Sequence, residues 1–222
     1  MAEVSHVFVY GLLAAVSPTV LLATLVVLGS GRGRLNGLVF LIAFTIGQSL
    51  AYILALLIGS AITIGDNTAG NVEGALELAA GVALVVIAWL RRSSPVEAPV
   101  GPPRSQALFA RLSHVRPAIS FGVGMPLGIG VKRLVITFLA AATVASAELS
   151  RNQETLLGIE YVAVATVVVW CPVLIYLVLG PRADGVMART RAWITSNERK
   201  LLVSSAFVLG LFLIVDGVAQ LL

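Results

Sequence analysis

The sequence predicts an all-α polytopic membrane protein: six transmembrane helices arranged as two inverted three-helix repeats, with a broken or re-entrant fourth segment. Three observations carry that prediction. Hydrophobic residues make up 58% of the 222-residue chain and charged residues 12%, with a mean hydropathy of +0.98, well beyond what a water-soluble core of this size requires. Six apolar stretches recur, each near or above the roughly 20 residues that cross a hydrocarbon layer. Finally, 12 of the 15 basic residues fall on alternate loops between those stretches.

In order, the candidate spans are 4–29, 36–64, 72–90, 118–147, 156–180 and 201–221. Arg32 and Arg34 follow the first, Arg91, Arg92, Arg104, Arg111 and Arg116 the third, and Arg182, Arg189, Arg191, Arg199 and Lys200 the fifth. Arg151 alone sits on a loop of the opposite side, while Lys132 and Arg133 lie inside an apolar stretch. The positive-inside rule puts the three basic loops in the cytoplasm and both termini outside, in a plasma membrane. With an odd number of spans per half, the second half enters the membrane upside down relative to the first. That parity, with a Lys-Arg pair inside an apolar stretch, points to a transporter.

The first span begins almost at Met1 with no preceding Arg or Lys and outruns a signal-peptide core, so it reads as a retained span. Its middle carries Ser17, Pro18 and Thr19. Proline removes a backbone donor and displaces the carbonyl one turn back, leaving polar groups that lipid cannot satisfy. Either a simple kink or a broken-helix substrate site accounts for such a motif. In the second span Gln48, with Thr45 and Ser49 nearby, lines the same cavity or serves as interhelical glue. The first repeat covers 1–92. A Pro-rich cytoplasmic linker over 93–116, with Pro95, Pro99, Pro102 and Pro103, joins it to the second repeat over 117–222.

The fourth segment opens with Gly122, Gly124, Pro126, Gly128 and Gly130, which argues against a continuous helix there and for a fresh helical start near Val131. Close helix packing is the alternative use of those glycines. Lys132 and Arg133 then occupy the first turn, where two cations beside the positive end of a helix dipole are tolerated if an anion is present. Phosphate or carboxylate is the implied ligand class; the competing reading has both side chains snorkel to headgroups. Cys171 reads as a small core residue that can form neither a disulfide nor a cysteine metal site within one chain. Between the last two spans, Val186, Met187, Thr190, Trp193 and Ile194 recur at helical spacing, so 182–197 reads as a cytoplasmic surface helix, with an ordinary solvated connector as the alternative because the apolar stripe is short.

Glu77, Glu160 and Asp216 lie within or near spans and are candidates for proton or ion coupling. Enzyme signatures are missing: there is no nucleotide-binding glycine loop, no HExxH, and His6 and His114 fall on opposite sides in this topology. No catalytic residue, metal or cofactor is therefore expected. The basic balance, pI about 9.7, is accounted for by topology and anionic inner-leaflet lipid, so nucleic acid is not an expected partner. A weak internal repeat pairs Ser17–Thr24 with Gly130–Thr137, and Ile53–Gly59 with Leu174–Gly180.

At Ser17-Pro18, at the turn Gly31-Arg32-Gly33-Arg34-Leu35-Asn36-Gly37 and at Gly130-Val131-Lys132-Arg133, the chain resembles the LysE-type exporter superfamily. Within it, the chain is most similar to the mycobacterial and actinobacterial Sap/Gap family of sulfolipid and glycopeptidolipid addressing proteins. The resemblance spans nearly the whole chain. It implies a six-helix transporter of two inverted repeats associated with outward movement of cell-envelope lipids. Pro18 and Lys132 match the superfamily's usual pattern, whereas Thr19, Val20 and Gly130-Val131 depart from it, which fits larger, less polar cargo than amino acids.

The resulting expectation is export of an anionic envelope glycolipid or lipid-linked precursor, its headgroup held by Ser17, Pro18, Thr19, Gln48, Lys132 and Arg133. Membrane lipids, an envelope-lipid synthase or exporter, and a second copy of the chain are the expected partners. Two alternatives stand beside it: export of a small polar solute or cation coupled through the acids, and a membrane scaffold that recruits lipid synthases or exporters.

Overall fold

The computed structural model describes residues 2–63, 116–147 and 149–221, together with 78, 81, 82, 85, 86, 88 and 89 of a further helical stretch. Most of the expected third span, nearly all of the linker, and Glu77 lie outside the described residues. Among the described residues every regular element is helical. In chain order these are α1 (Ala2–Ala15), α2 (Pro18–Leu28), α3 (Gly33–Thr63), α4 (Pro117–Gly128), α5 (Val131–Ser146), α6 (Arg151–Ala165), α7 (Val167–Leu179) and α8 (Asp184–Leu221), with a 3-10 turn over Gly180–Ala183 before α8.

Among the described residues, one segment, Gly33–Ile58 of α3, is by itself long and apolar enough to cross a membrane. Three bent pairs reach that length only together: α1 with α2 at 60°, α4 with α5 at 56°, and α6 with α7 at 64°, giving up to four spans. The first break falls at Val16 and Ser17, with Pro18 at the first position of α2, where a missing N–H costs nothing. The second falls at Ile129 and Gly130, and α5 begins at Val131 as expected.

The glycine-rich stretch before that break differs from expectation, because α4 is a continuous helix that includes Pro126. Close packing is the reason. A Cβ at Gly124 would lie 2.8 Å from the Phe40 carbonyl oxygen, and one at Gly47 would collide with the Met125 carbonyl, so small residues let α3 and α4 approach backbone to backbone.

The third break, at Thr166, was not expected, and no proline or glycine marks it. The Thr166 hydroxyl donates to the Val162 carbonyl one turn back, a bond that bends helices. The Trp170 indole covers the Ala163 carbonyl at 2.9 Å. Pro172, by contrast, sits inside α7. Cys171 is a second correction: it faces outward rather than into the core, since the buried face of α7 is carried by Val169 and Val173.

α3 is the central strut and touches α2, α4, α5, α6 and α7, while α1 lies on α5 and α6. The largest buried cluster joins Val7, Tyr10 and Ala14 of α1 to Ile136, Ala140 and Val144 of α5 and Tyr161 of α6. The expected surface helix and last span are one element, because nothing between Val186 and Val208 breaks the helix. At 1.5 Å per residue, its 38 residues extend about 57 Å, well past a hydrocarbon layer about 30 Å thick. Its early apolar stripe splits: Met187 and Ile194 pack with Leu22, Leu25 and Ala183, while Val186 and Trp193 face outward.

At the end of α7, Gly180 takes φ 54°, and a Cβ there would meet Arg34 Nη2 at 2.7 Å. Only glycine serves at that position. The basic turn after the first span is thereby seated against the end of the fifth.

Candidate functional site

The aligned helix starts after the first and second breaks share one local device. Thr24 donates to the Val20 carbonyl at 2.8 Å, and Thr137, its counterpart in the repeat alignment, donates to the Arg133 carbonyl at 2.6 Å. In the first segment the position before that threonine's turn is apolar, Val20; in the second it is Arg133. The difference puts a cation where its counterpart has a methyl group.

Arg133 is 3% exposed, and its guanidinium lies over the Phe44 ring at 4.7 Å. One terminal nitrogen, Nη1, donates to Gln48 Oε1 at 3.2 Å and to the Ala165 carbonyl at 3.0 Å. Gln48 Nε2 in turn donates to Thr137 Oγ1 at 3.0 Å. Because the Thr137 proton is committed to the Arg133 carbonyl, the 2.8 Å contact between Thr137 Oγ1 and the Tyr161 hydroxyl has Tyr161 as donor. A closed polar ring results, built from α3, α5 and α6 inside an apolar bundle.

The breaks explain where the cations go. Ala165 is the last residue before the third break, and its carbonyl has lost its helical partner there. Arg133 supplies the replacement donor. Lys132 does the same at the first break, donating Nζ to the Val16 carbonyl at 2.7 Å. Two adjacent residues just past the second break thus satisfy carbonyls exposed at the other two.

Arg133 nevertheless keeps capacity in reserve. A guanidinium has five N–H donors; Nη1 uses two, and Nε and Nη2 have no partner among the described residues. That free edge is the one that engages carboxylate, phosphate or sulfate in paired fashion. No carboxylate pairs with Arg133 among the described residues, which leaves a buried charge uncompensated.

Of the residues expected at the site, Gln48 and Arg133 are bonded to one another, while Lys132 reaches the Val16 carbonyl at the first break. Ser17 is half-buried at the cap of α2 without a side-chain capping bond, and Pro18 begins that helix beside the Val16 carbonyl. Thr19 faces outward and does not join them. Glu160 is half-buried on α6 but is not part of the ring. For Asp216 only the backbone, within α8, is described.

Sequence reasoning missed Thr137, Tyr161, Phe44 and Tyr52, whose ring stacks on Tyr161 at 5.3 Å. A threonine one helical turn after a buried arginine was the legible signal for Thr137. The tyrosines carried none. Among the described residues no group of acids, histidines or cysteines could hold a metal ion.

Beside the ring, a groove of about 740 Å³ runs between α3 and α6 from Arg151 and Glu154 to Ala163 and Thr166 at the third break. Tyr52 lines it, and its buried hydroxyl has no partner among the described residues. No curated protein and no solved structure matches the chain. The family model for Sap, the sulfolipid-1-addressing protein, does match, over residues 7–219, and the chain belongs to that family.

Proposed function

We propose that the protein is a plasma-membrane transporter, or an accessory of one, that exports an anionic envelope glycolipid or lipid-linked precursor. The free Nε and Nη2 edge of Arg133, buried where three helix breaks are tied together, is the observation that carries this reading. A sulfate or phosphate headgroup satisfies those donors and neutralises the charge. Membership of a family described by sulfolipid addressing supports the same cargo class.

In this reading the six spans form two inverted repeats of the LysE type with both termini outside, and the protein is a carrier rather than an enzyme. The headgroup enters when the helices bearing the breaks rock apart, because the ring is closed in the present conformation. Lys132 and Arg133 then exchange backbone carbonyls for the anion, and the carbonyls are capped again after release. Without a nucleotide-binding motif, the driving force is an ion gradient, a lipid gradient or a partner machine.

Arg133→Lys keeps the charge and removes the paired edge. In cells lacking the native protein, the variant should reach the membrane at normal levels. It should lower the transported lipid in the outer envelope about tenfold, with accumulation inside. Normal outer-envelope lipid with the lysine variant overturns the proposal.

A further inference from the structure

We infer that the groove between α3 and α6 is the seat of a single anionic glyco-amphiphile at the outer leaflet, the last stop of the cargo before release. This rests on the export reading above and on its topology, which puts the start of α6 outside. The groove is graded along its length. Its outer mouth carries Arg151 and Glu154, and its body is walled by Ile53, Leu56, Ile159 and Val162.

A cation and a carboxylate side by side suit a headgroup that has both an anionic group and hydroxyls. Arg151 takes the anion, and Glu154 accepts from a sugar or glycerol hydroxyl. A zwitterion such as phosphatidylcholine sets its ammonium against Glu154 but offers it no hydroxyl, so preferential retention of phosphatidylcholine overturns the inference. The apolar walls match an acyl chain, and partway along the groove the Tyr52 ring packs on Gly158.

Two details link the seat to the ring. Gly158 leaves the space that the Tyr52 ring occupies, since a Cβ there would lie 2.7 Å from Tyr52 Cε1. The same ring stacks on Tyr161, which donates into the Arg133 network. An occupant pressing on Tyr52 therefore bears directly on the ring, and the groove ends at Thr166, next to the carbonyl that Arg133 caps.

The test uses the full-length protein in nanodiscs of equal phosphatidylglycerol and phosphatidylcholine, with native mass spectrometry reading the lipid retained after release. Phosphatidylglycerol supplies both an anion and hydroxyls. The native protein should retain one phosphatidylglycerol in preference to phosphatidylcholine. Ile159→Trp, which fills the groove from an outward-facing position, should abolish retention, and Arg151→Gln should reduce it about fivefold. Retention is read on the purified protein and export in cells, so loss of retention with export intact marks failure here, and loss of export with retention intact marks failure of the central site. Equal retention of both lipids, the mark of a non-specific boundary layer, overturns the inference. So does native-like retention by Ile159→Trp.

Discussion

At the residue scale, Arg133 is expensive to keep, and its neighbours show how it is kept. Its Nη1 has two acceptors, and a ring face lies beneath the guanidinium. Gln48 is the pivotal member because it accepts from Arg133 with one end of its amide and donates to Thr137 with the other. Gln48→Leu takes an acceptor from a buried cation and should cost about 2 kcal/mol. Tyr161→Phe removes only one neutral hydrogen bond, for which about 0.6 kcal/mol is typical inside membranes. Thermal unfolding in one detergent should rank native, then Tyr161→Phe, then Gln48→Leu, with the larger gap before the last. Equal loss in the two variants would mean that the ring does not bear the charge of Arg133. Lys132 belongs to a different balance, since its partner is the single carbonyl of Val16 and its side chain is only half-buried.

At the scale of elements, the breaks divide into those written in the sequence and one that is not. Pro18 and Gly130 mark theirs chemically, through a missing donor and a missing side chain. Thr166 looks like any hydroxyl in an apolar run; its bend goes with its own bond to the Val162 carbonyl and with the capping of the Ala165 carbonyl by Arg133, 32 residues before Ala165. Gln48 and Arg133, 85 residues apart, are likewise joined only by the fold. Composition and periodicity cannot report such pairings, which is why the ring was half legible: its charged and amide members stood out, its threonine and tyrosine did not. The glycines of α4 were legible both as helix breakers and as close-packing residues, the structure takes the second use, and their roles separate experimentally. A Cβ at Gly128 would lie 3.0 Å from the Gln48 backbone nitrogen and press on Phe44, whereas one at Gly122 meets nothing within 4 Å. Gly128→Ala should therefore destabilise by about 1–3 kcal/mol through overpacking. Gly122→Ala should be neutral or gain up to about 1 kcal/mol from helix propensity. Opposite signs in the same unfolding assay support backbone contact between α3 and α4; matching losses would refute it.

At the scale of the whole molecule, the groove and the ring acquire direction only through topology. The proposed topology puts the loops rich in arginine inside and Arg151, at the start of α6, outside. The structure adds a mechanical reason for keeping Arg34 on the basic side, because its guanidinium is lodged where Gly180 lacks a side chain, tying two loops of like sign to one end of the bundle. α8 fits the same frame, since its length exceeds the hydrocarbon layer and the excess carries Arg189, Arg191 and Lys200. Inverting the molecule would strand those charges outside and turn the mouth of the groove toward the cytoplasm, making it an entrance rather than an exit. Single-cysteine labelling decides between the two. In a Cys171→Ala background, which removes an outward-facing thiol, Ser150→Cys should react with an impermeant maleimide on intact cells stripped of their outer envelope. Ser105→Cys and Ser196→Cys should react only after the membrane is opened. Labelling of position 105 or 196 on sealed cells would reverse the topology, and with it the proposed order of the Arg133 ring and the groove along an export path.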